Sequence, residues 1–179
     1  MPVSARPHHP SRGAVWTSAC AVGAVVLALT ATACSSSPSG PKAADSAAKM
    51  SADAKWLAQK ERSSNKATTP FTVTQDGTKA VSCGHGKASY TFAGQQTFTI
   101  GPVHTYLDVT TVVDAWMKDR GYSIDFDAKP KNDYYTRNSQ ILVNKKSGIH
   151  LTVTATASGE HATTEVWSVS GHTECLRTG

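Results

Sequence analysis

The chain has 179 residues, of which 39% are hydrophobic and 17% charged, with 13 Gly, 8 Pro and 4 Cys. That length holds one ordinary domain, and the composition excludes a collagen-like chain, a disulfide-dense miniprotein and a fully disordered polyelectrolyte. A single stretch is apolar enough to enter a bilayer, which excludes a multi-span membrane protein, and the formal net charge is +5.

The first twelve residues carry Arg6 and Arg12 and no acid. From Gly13 to Ala33 there is no charge, and Ala21 to Leu29 is almost wholly apolar. A basic start, a short apolar run and small residues before a cut site describe an export signal over residues 1–33. No adjacent arginine pair is present, so the general secretion route is expected. The run is diluted by Ala, Thr and Ser, which favours a cleaved signal over a spanning helix.

The residues before the second cysteine read Leu29-Thr30-Ala31-Thr32-Ala33-Cys34. They resemble the lipobox of bacterial lipoproteins, and the Ser35–Pro41 spacer adds the style of such proteins from high-GC Gram-positive bacteria. The resemblance implies diacylglyceryl attachment at Cys34, palmitate-type chains and a cell-membrane location on the extracytoplasmic face. Ala31 departs from the pattern, where a branched aliphatic residue is usual. Ala31-Thr32-Ala33 is also a site for ordinary signal peptidase. Both routes cut before Cys34 and differ in whether its sulfur is acylated.

Residues 43–62 are rich in Ala and Lys and lack Gly and Pro, which predicts a helix. Its apolar face of Met50, Ala54 and Leu57 is narrow, so it reads as a tether helix docking in part, with Trp56 as its anchor. Ser63–Pro70 reads as linker. Two short runs, Phe71–Thr74 and Lys79–Ser82, flank Gln75-Asp76-Gly77-Thr78, and Asp-Gly predicts a hairpin turn there. Tyr90, Phe92, Phe98 and Ile100 fall at even spacing, which gives one strand with a bulge at Gly94, or two strands. Val109, Val112, Val113, Trp116 and Met117 follow helical spacing, with Asp108 as N-cap and Gly121 beyond the last turn. Tyr122, Ile124 and Phe126 then alternate with polar residues as a half-buried strand.

A polar loop runs from Ala128 to Asn138, followed by strands at Gln140–Asn144, Ile149–Thr156 and Thr163–Ser170. The last hairpin allows two registers. A two-residue loop sets Leu151 opposite Val166, and a three-residue loop sets it opposite Trp167. The fold class is α+β, an antiparallel β-sheet with the Val109–Arg120 helix packed on one face, preceded by the tether helix. The domains are a signal peptide over 1–33, a lipid-anchor spacer and Lys/Ala-rich helix over 34–66, and one α+β domain over 67–179. Without the signal, 16 basic and 13 acidic residues remain. The excess lies within 34–66, which the expected anchor would set near an anionic lipid surface, or which is simply a solvated helix. Residues 67–179 balance at ten against ten. They show no basic stripe, and nucleic acid is not an expected partner.

Cys83 and Cys175 form a matched pair for an oxidising compartment, and a disulfide between them is expected. That bridge would gather His85, His172 and Glu174, weak candidates for a zinc site, although exposed turn residues are the simpler reading. His104, His150 and His161 have no diagnostic spacing. Asp125 and Asp127 share a strand face, as paired carboxylates or as its solvated side. The loop around Tyr134, Tyr135 and Arg137 is the candidate binding loop, since Tyr and Arg concentrate at binding hot spots.

No nucleophile elbow, zincin helix, phosphate loop or dinucleotide fingerprint occurs, and no cofactor is expected. The reading that follows is a membrane-anchored extracytoplasmic lipoprotein with a non-enzymatic module that binds another envelope component. A small envelope hydrolase with a site assembled in three dimensions is the alternative, as is a metal-binding module.

Overall fold

The computed structural model describes residues 40–65, 67–99, 108–133, 136–159 and 161–179, with the backbone alone at 108–111. The expected signal peptide and Cys34 lie outside the described residues, as do Tyr134, Tyr135 and His104. A compact unit spans Pro38–Gly179. It is α+β: a seven-stranded antiparallel sheet with two helices on one of its faces.

Helix α1 (Ala43–Ser64) is uninterrupted by Gly or Pro and carries Asp45 in its first turn, where an acid favours the helix dipole. Ala43, Ala47, Met50, Ala54, Leu57 and Ala58 on one side are all buried. The expected partial docking therefore gives way to docking along the whole helix. The apolar face is narrow because it is built of alanines, and small side chains let the helix approach the sheet closely. The sheet answers at Gly171, where a Cβ would collide with Leu151 and crowd Met50. α1 packs chiefly on β2 (Lys87–Thr99) and β6 (Thr164–Thr173). α1 and the sheet fall within this one unit, which also contains the expected boundary between residues 66 and 67.

β1 (Thr72–Gly84) spans both arms of the hairpin expected around Asp76-Gly77. The reversal comes later, where His85 (φ 50°) and Gly86 (φ 67°) both take left-handed conformations and Gly84 pairs with Lys87. Two left-handed residues in succession make the type I′ turn that suits a tight hairpin. Asp76-Gly77 forms a bulge instead, because the outward step of the chain there seats buried Gly77 against α1. β2 is one continuous strand; Gly94 leaves room for the Phe71 ring, and the irregularity beside it lies in β1, where Thr74 is the extra residue.

α2 (Asp108–Lys118) buries Val113 and Met117 against β4 (Arg137–Asn144), β5 (Ile149–Ala157) and β3 (Ser123–Ile124). It ends in a Schellman motif: Tyr122 N–H donates to Met117 O and Gly121 N–H to Lys118 O, with Gly121 at φ 85°. β3 is only two residues long, and Phe126 is 84% exposed rather than core-facing. Asp125 stops the strand, since its Oδ1 accepts from the backbone N–H groups of Asp127 and Ala128. The two acids thus sit in a turn and not on a strand face.

The strand order is β1-β2-β6-β5-β4-β3, with the short β7 (Leu176–Arg177) also pairing with β2. In the last hairpin Leu151 faces Gly171 and Ala155 faces Trp167, so the connection is longer than either expected loop. Its register still turns Trp167 and Val169 inward, as the three-residue loop would have done. The core joins Leu57, Phe92, Phe98, Met117, Leu142, Leu151 and Trp167 between sheet and helices.

Candidate functional site

With both helices on one face, alternation along the strands sends a second set of side chains to the other. Thr91 and Gln95 of β2, Ser168 and Ser170 of β6, and Thr152 and Thr156 of β5 share that face. It is rich in hydroxyls and amides, and no carboxylate comes from these positions.

The bulge in β1 breaks this face. Asp76 pairs with Phe92 and Ala80 with Tyr90, so Gly77–Lys79 stand opposite Thr91 alone. Extra residues on one strand bend it and re-aim its side chains. A hollow of about 390 Å³ results, lined by Gln75, Asp76, Lys79, Val81 and Thr91 among others. On the helix side of the bulge lies a groove of about 610 Å³, lined by Ala48, Ser51, Lys55, Thr78 and Tyr90 among others. Asp76 and Gly77 border both. The Asp76 carboxylate accepts from Thr78 Oγ1 at 2.7 Å and Thr78 N–H at 3.0 Å. These bonds hold its pKa below the ordinary value.

Next to the hollow, Thr91 pairs with His172, and His172 pairs across the strands with His150. The two imidazoles stack at 4.9 Å, 3° from parallel. His150 Nε2 lies 3.4 Å from Glu174 Oε1. Partial burial lowers the His172 pKa and the His150 ring lowers it further, against an opposing pull from Glu174. His172 and Glu174 therefore meet His150, while His85 occupies the β1–β2 turn. Sequence reasoning missed this pair because only the strand register brings residues 150 and 172 together. Among the described residues no group of three His, Cys, Asp or Glu side chains is set to hold a metal ion.

A third cluster is buried. Asp53 accepts from Lys49 Nζ at 2.7 Å, from Arg120 Nη1 and from the Tyr122 hydroxyl at 3.0 Å. Arg120 also stacks on Trp56, 4.0 Å from the ring centroid. Burial raises the Tyr122 pKa above its ordinary value, and the adjacent Asp53 charge and hydrogen bond add to that rise against Arg120. With three donors on two oxygens, Asp53 has the surroundings of a structural clamp joining α1 to the end of α2.

Cys83 and Cys175 are joined by a disulfide, with Cα atoms 5.9 Å apart. Cys83 is the extra residue of another irregularity in β1, between Ser82 and Gly84. Of the expected binding loop, Arg137 is described: its Nε donates to Ser139 Oγ at 3.4 Å, and its backbone exchanges two hydrogen bonds with Asp133. It lies at the far end of β4 from the histidine pair and away from the β1 hollow. Comparison with protein-family models, curated proteins and solved structures gives no match.

Proposed function

We propose that this chain is a membrane-anchored extracytoplasmic lipoprotein whose folded domain is a binding module for another envelope component. The observation that carries the binding reading is the polar sheet face on which neither described helix packs, opened by the β1 bulge into a hollow lined by Thr91, next to His172. A sheet face with hydroxyl and amide groups around a concavity suits recognition of a polar ligand. The buried carboxylate at Asp53 is saturated by three donors, which favours a structural role over acid–base chemistry there.

The location rests on the sequence around Cys34 and is supported by the Cys83–Cys175 disulfide, since such bonds persist where the compartment is oxidising. Among the described residues no helix is long and apolar enough to cross a membrane. The test is the intact mass of the protein extracted from its native membrane, before and after reduction and alkylation. The expected result is a chain starting at Cys34 with added acyl mass, and two further thiols that appear on reduction. A chain starting at Cys34 without acyl mass would replace the anchored protein with a secreted one. For the hollow, Thr91→Arg fills the concavity from an exposed strand position. It is expected to abolish partner binding without lowering the melting temperature, and unchanged binding would move the site elsewhere.

A further inference from the structure

Four lysines outside α1 are dispersed in sequence but gathered at one end of the fold. α1 begins at one end of the sheet, where Lys42 bridges to Arg177 and Ser46 Oγ donates to Ser147 O at 2.7 Å in the β4–β5 turn. That turn carries Lys145 and Lys146. On the neighbouring side Lys87 pairs with Arg177 just after the β1–β2 turn. Lys42, Lys87, Lys145 and Lys146 are all exposed. The opposing side chains are Asp45 and Glu174, which already leans on His150. Lys118 and Asp119 at the end of α2 offset one another. A local cationic excess therefore sits where α1 starts, although residues 67–179 are neutral in sum.

This is also the end at which the anchored segment enters. Gly40 follows Cys34 by six positions, so a Cys34 held in a bilayer keeps this end within about 20 Å of the lipid. From charge and chain length together, we propose that this end of the domain docks on anionic phospholipid headgroups. The docking sets the sheet upright on the membrane, with β1–β2 and β4–β5 turns against the lipid. The inference rests on the lipid-anchored reading, and its test separates the two.

The unit Pro38–Gly179 holds the sheet, both helices and the disulfide within itself, and it lacks the anchor. It is mixed with vesicles of phosphatidylcholine alone, or of phosphatidylcholine with phosphatidylglycerol. It is expected to sediment with the anionic vesicles only and to be released by salt. Replacing Lys145 and Lys146 by Ala is expected to weaken binding about fivefold per lysine. Lys129→Ala with Lys131→Ala, in the loop after β3, is expected to leave it unchanged. Binding that ignores lipid charge, or equal losses from both lysine pairs, overturns the proposal. So does retention on soluble polyphosphate without vesicle binding, which would assign the patch to an anionic polymer. An acylated native chain whose free unit ignores anionic vesicles keeps the anchor and overturns the docking. A native chain without acyl mass, whose unit binds those vesicles, removes the anchor and leaves the docking in place.

Discussion

The Asp53 side chain is 3% exposed, whereas Lys49 and Arg120 are 35% and 31% exposed. Loss of the carboxylate lets water resolvate the two cations, but it strips the buried Tyr122 hydroxyl of its acceptor. Asp53→Ala is therefore expected to cost about 2–3 kcal/mol, below the full penalty of an orphaned buried charge. Lys49→Ala leaves Asp53 with two donors and is expected to cost less than about 1 kcal/mol. Urea unfolding of both variants checks this order, and equal losses would contradict it. At His172 the folded-state pKa lies below the ordinary 6.5, so the unfolded chain binds the proton more readily. The stability from this group is fully present above about pH 6.5 and is lost as pH falls through the folded-state value. Melting temperatures across that window are expected to fall more for the native protein than for His172→Ala.

At the scale of elements, α1 is the clearest case. Leu57 is fully buried against the sheet, so Leu57→Ala is expected to lose about 2–5 kcal/mol in chemical denaturation. A partly docked stalk would lose almost nothing. Gly77 sits at φ 81°, and a Cβ added there would stand 3.6 Å from Ala47 O, an ordinary contact. Gly77→Ala is expected to cost about 1–2 kcal/mol, chiefly through the left-handed backbone, and to alter the hollow beside Thr91. The existence of both helices, the strand at Ile149–Thr156 and the stop at Gly121 were legible because each depends on neighbours within a few residues. The fate of Asp76-Gly77 was not, because a left-handed glycine serves a hairpin and a bulge equally. What decides between them is the packing of α1 from the distant segment 47–51. The histidine pair was hidden for the same reason, since it depends on the long β5–β6 connection. Lys49 and Asp53 stand at visible helical spacing, but Arg120 and Tyr122 come from 67 and 69 residues away.

Across the whole molecule, β1 is an edge strand of 13 residues, and its register breaks at three places. Such breaks protect a long edge from pairing with another chain. The Cys83–Cys175 bridge closes a separation of 92 residues and fastens that edge to the C-terminal segment. In the chain-entropy model a loop of this size contributes about 4–5 kcal/mol. Reduction, or Cys83→Ser with Cys175→Ser, is expected to lower the melting temperature substantially. An unchanged melting temperature would mean that the strand pairing alone holds this end. The backbone β-bridge between Lys42 and Arg177 gives this arrangement a mechanical meaning. If Cys34 carries the proposed anchor, tension entering through Gly40 meets Arg177 first, and that segment is pinned covalently to β1 through Cys175. A pull on the proposed anchor would therefore be shared between Lys42 and the Cys175 segment before it reaches the helix, so that α1 would not be the first element to peel.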